Sequence, residues 1–207
     1  MHNSVDLQEW FGGIDIYLFD QLLKGRFISG MRVLDAGCGS GRNLVYLLRS
    51  GYEVFGVDES DQAVAHTRRL AAALAPHLPA DNFRVEPVER LSFADAGFDV
   101  VLSSAVLHFA PDENQWQAMV NEMWRVLKPG GIFFARLASS IGIEGKVELI
   151  DGRRYRLPDQ TDRFLVDEAM LLAVSASLGA EFVEPIKTTV VQNMRSMTTW
   201  CVRKGKT

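Results

Sequence analysis

Short apolar runs alternate with longer segments whose apolar residues recur every three or four positions, the pattern of a parallel sheet crossed by helices. Strands are predicted at Arg32 to Asp35, Glu53 to Val57, Phe83 to Glu86, Phe98 to Leu102 and Gly131 to Leu137. Helices are predicted at Gly41 to Ser50, Ser60 to Leu74 and Asp112 to Leu127. The last carries Trp116, Met119, Val120, Met123 and Leu127 on one face, with Asp112 placed to cap its start and Arg125 and Lys128 placed to complement its C-terminal dipole. Pro129 then stops the helix, and Gly130-Gly131 supplies the turn into the next strand.

After Leu137 the pattern is less regular: an arginine-rich loop region, a helix from about Val166 to Leu178, and two strands at Glu181 to Ile186 and Ser196 to Val202. Pro185 suits an exposed strand rather than a central one. In the first thirty residues Trp10, Phe11, Ile14, Tyr17, Leu18, Leu22 and Phe27 can line one apolar face, either of a helical lid or of a helix that simply covers the core.

The chemistry concentrates in Val33-Leu34-Asp35-Ala36-Gly37-Cys38-Gly39-Ser40-Gly41-Arg42-Asn43, a strand running into a glycine loop that opens a helix. Glycines at alternate positions let the backbone turn sharply and approach a ligand closely. Asp58, at the end of Val54-Phe55-Gly56-Val57-Asp58, stands where a ribose-binding carboxylate is expected. In the dinucleotide pattern Gly-x-Gly-x-x-Gly the third glycine would fall on Arg42, too large for close helix packing. Asp35, just ahead of the loop, suits a ligand with an ammonium and a sulfonium group better than a pyrophosphate. That ligand is S-adenosylmethionine.

These residues resemble the class I S-adenosylmethionine-dependent methyltransferases. The likeness extends to Phe98-Asp99-Val100-Val101-Leu102-Ser103-Ser104-Ala105-Val106-Leu107-His108-Phe109, similar to that family's fourth strand and following loop, and to Trp124-Arg125-Val126-Leu127-Lys128-Pro129-Gly130-Gly131, similar to its turn into the fifth strand. The blocks cover roughly residues 31 to 138 in order. A shorter likeness, Gly39-Ser40-Gly41-Arg42-Asn43, is to the tellurite-resistance type of small-molecule methyltransferase. The resemblance implies an α/β, Rossmann-like doubly wound sheet, mostly parallel, with an antiparallel C-terminal edge hairpin and an N-terminal helical lid. It also implies one domain over residues 1–207: lid 1–30, cofactor-binding core 31–138, and substrate loop, helix and hairpin 139–207.

By the same resemblance the amides of Gly37, Gly39 and Gly41 approach the methionine part of the cofactor, and Asp58 accepts from both ribose hydroxyls. Asp35 contacts the amino group, directly or through water, or caps loop amides instead. Cys38 and Asn43 in the loop and Glu59 beside Asp58 complete this part of the set. The family's usual adenine-binding acid would fall on Pro87, which supplies no carboxylate, so the Val88 amide and Glu89 are the candidates there. Ser104 would place its backbone near the methionine amino group.

Methyl transfer from a sulfonium is an in-line displacement that relies on positioning and exclusion of water, so a base is optional. His108 is the candidate base; in the family this position often only shapes the pocket. Arg136, among apolar neighbours at the end of the fifth strand, is the candidate contact to an anionic acceptor, because a buried charge must be paired. Arg153, Arg154, Arg156 and Arg163 either converge on the same acceptor or pair with Asp151, Asp159, Asp162 and Asp167. Asp15 and Tyr17 are further substrate candidates if the N-terminal helix closes over the site.

The net charge of −4 over 207 residues argues against a nucleic-acid partner bound through a basic surface. The two cysteines, Cys38 and Cys201, lack the spacing of a disulfide framework or a metal site, as expected for a reducing cytoplasm. No signal-like N-terminus or membrane-spanning apolar run is read in the sequence. The expected protein is a cytoplasmic monomer or homodimer that methylates a small-molecule acceptor without metal. A non-catalytic S-adenosylmethionine sensor is the alternative; an NAD-dependent oxidoreductase is disfavoured by Arg42 and by the absence of a Tyr-x-x-x-Lys pair.

Overall fold

The computed structural model describes residues 6–206, so the first five residues of the expected lid lie outside the described residues. The chain separates into two compact units, Met1–Val88 and Glu89–Thr207.

The first unit holds α1 (Leu7–Phe11), α2 (Ile16–Leu23), β1 (Arg32–Ala36), α3 (Val45–Arg49), β2 (Glu53–Asp58), α4 (Asp61–Leu74) and β3 (Phe83–Val85). The three strands are parallel, β2 between β1 and β3, with Asp35 opposite Gly56 and Asp58 opposite Val85. Val33, Leu34, Val54 and Val57 are fully buried, as continuous apolar runs covered on both faces must be. Ser60 caps α4 by accepting from the Ala63 amide, and Arg68 fastens that helix to β3 with two hydrogen bonds to the Phe83 carbonyl. α3 starts four residues later than the sequence pattern predicts. Gly41 has φ +79°, and residues 41–44 form a turn in which the Leu44 amide donates to the Gly41 carbonyl.

Two short helices stand where the pattern predicts a helical lid, α1 capped by Asp6 and α2 by Asp15, with Gly12 in the left-handed region between them. Phe11 stacks on Tyr46 of α3 at 5.1 Å, and Leu18 and Phe27 are buried, whereas Trp10 is exposed.

The second unit holds β4 (Phe98–Ser104), α5 (Glu113–Val126), β5 (Leu127–Ala138), β6 (Glu148–Asp151), β7 (Arg154–Arg156), β8 (Asp162–Phe164), α6 (Glu168–Ser177), β9 (Ala180–Phe182), β10 (Lys187–Val191) and β11 (Arg195–Lys204). β4 and β5 are parallel; β11 runs antiparallel to β5 and carries β10 and β9 on its other edge. The expected class, α/β with a mostly parallel sheet and an antiparallel C-terminal edge, is the one observed. Trp116 of α5 stacks between Phe164 (5.8 Å) and Trp200 (6.3 Å), and the Trp200 indole donates to the Ser175 hydroxyl, anchoring α6 on the sheet.

Three expectations change here. α5 ends at Val126, because Leu127 is already extended (φ −75°, ψ 133°) and pairs with Phe98; Lys128 to Gly131 then form the irregularity before Ile132 pairs with Val100. The edge hairpin is made by β10 and β11 rather than by 181–186, since only Ala180–Phe182 pairs with β11 and Pro185 lies between the two short strands. The segment read as an irregular loop contains an antiparallel three-stranded meander, β6-β7-β8. Among the described residues no helix is long and apolar enough to cross a membrane.

Candidate functional site

In the first unit the candidate residues lie where β1 and β2 end. Asp35 is 1% exposed, and neither carboxylate oxygen has a hydrogen-bond partner among the described residues. Burial pushes its pKa up to about 7; the Arg42 guanidinium opposes this and the Asp58 charge adds to it. A buried carboxylate left without donors is costly, so the fold holds this group at a disadvantage that a cationic ligand would relieve.

Asp58 is held from both sides. Its Oδ2 accepts from the Gly39 amide at 2.9 Å and its Oδ1 from the Ser60 amide at 3.0 Å. Each oxygen keeps acceptor capacity for a hydroxyl donor. Gly37, Gly39 and Gly41 all have positive φ, but their amides are already used: Gly37 donates to the Val57 carbonyl, Gly39 to Asp58 and Gly41 to the Cys38 carbonyl. The amides that the resemblance directs at the methionine part thus already donate to groups of the protein itself. A Cβ on Gly39 would meet no heavy atom within 4 Å, so the loop is open there.

Gly41 is crowded instead. A Cβ on it would sit 2.9 Å from Leu70 Cδ2 and 3.2 Å from Thr67 Oγ1. With its φ of +79° as well, Gly41→Ala is expected to cost about 2 kcal/mol, lowering the thermal midpoint by roughly 4–8 °C in a melting experiment.

Cys38 packs behind the loop: its Sγ would lie 3.0 Å from a Cβ on Gly56, which explains that glycine inside β2. Burial, with the Asp35 and Asp58 charges, pushes its thiol far above the usual range, so it is inert. Asn43 is buried and its Oδ1 accepts from the Asp15 amide at 2.9 Å, tying the loop to the start of α2. Asp15 in turn caps α2, accepting from the Tyr17 and Leu18 amides. Tyr17 is half-buried, Glu59 exposed and Val88 buried. Thr67, missed in the sequence, donates from α4 to the Gly39 carbonyl at 2.9 Å; its spacing with Val64 and Ala71 on the buried face was the available signal.

In the second unit Ser104 ends β4, buried and in register with Arg136 of β5, which faces Thr199 of β11 on its other side. The chain leaves the sheet abruptly: Ala105 takes a left-handed φ of +65° while its amide donates to the Arg136 carbonyl at 2.7 Å. For an alanine that conformation costs about 1–2 kcal/mol, the kind of strain that collects at functional sites. Arg136 is buried, as its apolar neighbours implied. Glu89 accepts from the Gln115 side chain at 3.3 Å.

His108 does not fit the base role. Its Nδ1 accepts from the Ala138 amide at 3.2 Å, so the neutral ring carries its hydrogen on Nε2. Burial, helped by the Arg163 charge, lowers its pKa to about 4. A group that neither presents a free lone pair nor gains a proton near neutrality is a donor rather than a base. Of the loop arginines, Arg153 pairs with Asp167 and Arg156 with Asp162, as the second of the two sequence readings has it. Arg163 instead lies with its guanidinium 4.9 Å over the ring of the exposed Phe109.

The chain is similar to known proteins. The family described as "Methyltransferase domain" matches residues 34–135. The malonyl-[acyl-carrier protein] O-methyltransferase of Enterobacter lignolyticus is 34% identical over 152 residues, 72% of this chain and 54% of that protein. The arsenite methyltransferase of Aquipseudomonas alcaligenes is 32% identical over 124 residues, 53% of this chain and 33% of that protein. Among solved structures, the 1,6-didemethyltoxoflavin-N1-methyltransferase of Burkholderia thailandensis, with S-adenosylhomocysteine bound, superposes with a TM-score of 0.71 at 21% identity, over 97% of this chain and 81% of that one. The chain is similar over residues 34–135 to a methyltransferase domain, and the names of one relative and one solved structure specify dependence on S-adenosylmethionine. The chain spans about half the length, or less, of the curated relatives named here.

Proposed function

We propose that this protein transfers the methyl group of S-adenosylmethionine to a small anionic acceptor. The observation that carries the reading is Asp35, a buried carboxylate with both oxygens lacking donors among the described residues, placed at the head of a glycine loop that is open at Gly39. An ammonium group answers that carboxylate, and the free acceptor capacity of Asp58 answers a ribose diol. The backbone at Gly37, Gly39 and Gly41, with Cys38 and Asn43 behind it, shapes the remainder, and Glu59, Val88, Glu89 and Ser104 complete the set assigned to the cofactor. When bound, the cofactor supplies an activated methyl group on a sulfonium; the chain's task is to hold, orient and keep dry.

The anionic acceptor is supported by the burial of Arg136 and by two relatives whose names specify a malonyl group and arsenite. Asp15 and Tyr17 are assigned to the acceptor through the N-terminal helices. The protein is further proposed to work in the cytoplasm as a single-domain monomer or homodimer, without nucleic acid, on the strength of its negative charge and two buried free cysteines.

Calorimetric titration at pH 8 is expected to give dissociation constants in the micromolar range, roughly −8 kcal/mol, for S-adenosylmethionine and S-adenosylhomocysteine. Absence of binding to folded protein would sink the reading. Formation of S-adenosylhomocysteine with an acceptor separates an enzyme from a cofactor sensor.

A further inference from the structure

His108 and Arg163 form a polar group outside the set proposed for the cofactor. His108 sits in the turn Leu107–Phe109 after β4 and is 6% exposed; β8, which carries Arg163, packs against that turn. The imidazole lies 4.6 Å from the Phe109 ring, and the Arg163 guanidinium lies 4.9 Å from the same ring. Phe109, 61% exposed, thus presents an apolar surface flanked by an imidazole and a guanidinium.

The donors available there are fixed by the backbone. The Ala138 amide occupies Nδ1, which leaves Nε2–H as the one polar hydrogen of the ring, and His108 makes no other side-chain hydrogen bond among the described residues. Arg163 spends one N–H on the Asp162 carbonyl at 2.7 Å. The two carboxylates on which the Arg163 charge acts are engaged: Asp162 with Arg156, and Asp159 with the hydroxyl and amide of Thr161. A neutral N–H donor beside a permanent cation and an apolar ring suits a ligand with an anionic oxygen on an apolar body.

We propose that His108 Nε2–H and Arg163 together bind an anionic oxygen of the acceptor, with Phe109 against its apolar part. The proposal rests on the methyltransferase reading and deepens it: the acceptor arrives already carrying its negative charge, and His108 recognises it without taking a proton.

The test is nitrogen-15 spectroscopy of protein labelled at its four histidines, with His108 assigned through His108→Gln. Benzoate and malonate are titrated in with and without S-adenosylhomocysteine, and methyl benzoate serves as the uncharged control. The expected result is a neutral Nε2–H ring at pH 6–8 whose Nε2 proton moves downfield with benzoate or malonate and not with methyl benzoate. Arg163→Gln should weaken that response at least about tenfold while S-adenosylhomocysteine binds as in the wild type, which also reports a folded variant. A ring protonated on Nδ1, a ring that neither anion perturbs, or an equal response to methyl benzoate each overturns the subsite. Loss of S-adenosylhomocysteine binding in the wild type counts against the methyltransferase reading, while the ring titration still decides the subsite.

Discussion

Asp35→Asn is expected to stabilise the ligand-free protein at pH 8 and, at the same pH, to weaken S-adenosylmethionine binding. The folded carboxyl titrates at about 7, against 3.8 for an ordinary aspartate, so between those values the folded chain holds a proton that the unfolded chain lacks. Stability therefore falls as pH rises from about 4 through 7, and above 7 the buried anion is fully opposed. The shift sets an upper bound of about 4 kcal/mol. Asn also brings its own unsatisfied amide, so a net gain of roughly 1–3 kcal/mol at pH 8 is expected, vanishing near pH 4 where the wild-type group is neutral. Melting curves at the two pH values check this, and equal shifts at both would contradict it.

The ligand side runs the opposite way. An ammonium group favours the ionised Asp35, so affinity for S-adenosylmethionine and S-adenosylhomocysteine should rise with pH up to about 7, by at most about tenfold per unit. Methylthioadenosine, which keeps the nucleoside but has no amino acid, should show little of this dependence. Asp35→Asn should cost the amino-acid ligands about 10–100-fold and methylthioadenosine almost nothing.

Asp58→Ala is expected to give the mirror-image result. Asp58 accepts from the Gly39 and Ser60 amides and is assigned to the ribose, so its removal takes away the hydroxyl acceptor and releases the glycine loop together. A loss of about 2–4 kcal/mol, roughly 30- to 1000-fold, should fall alike on S-adenosylmethionine, S-adenosylhomocysteine and methylthioadenosine. Calorimetry with the three ligands against the two variants separates the roles. A wild-type affinity in Asp58→Ala would remove the ribose assignment, and a selective loss of the amino-acid ligands would reassign Asp58 to their end.

The parallel strands were legible because they are buried on both faces and read as unbroken apolar runs; Asp35 and Asp58 were legible because each follows such a run at a strand end. The β6-β7-β8 meander was not, since Glu148–Asp151 and Arg154–Arg156 are short and mostly polar, and exposed strands of that kind carry little periodic signal. The edge hairpin was displaced for a similar reason: Lys187–Val191 contains just two apolar residues, both exposed, so the more apolar 181–186 outscored it. For His108 the residue type was informative, but its chemistry depends on the Ala138 amide thirty positions away, a contact that no local pattern encodes. Asn43 reads as a loop residue facing a ligand, yet its Oδ1 accepts from the Asp15 amide, twenty-eight positions earlier.

That last bond makes one proton a clock for the loop. The Asp15 amide hydrogen is held by Asn43 Oδ1, so its exchange with solvent deuterium waits on separation of the N-terminal segment from the chain just after Gly41. The rate at this single backbone position counts partings of the N-terminal segment from the loop, in a protein carrying no probe and no substitution.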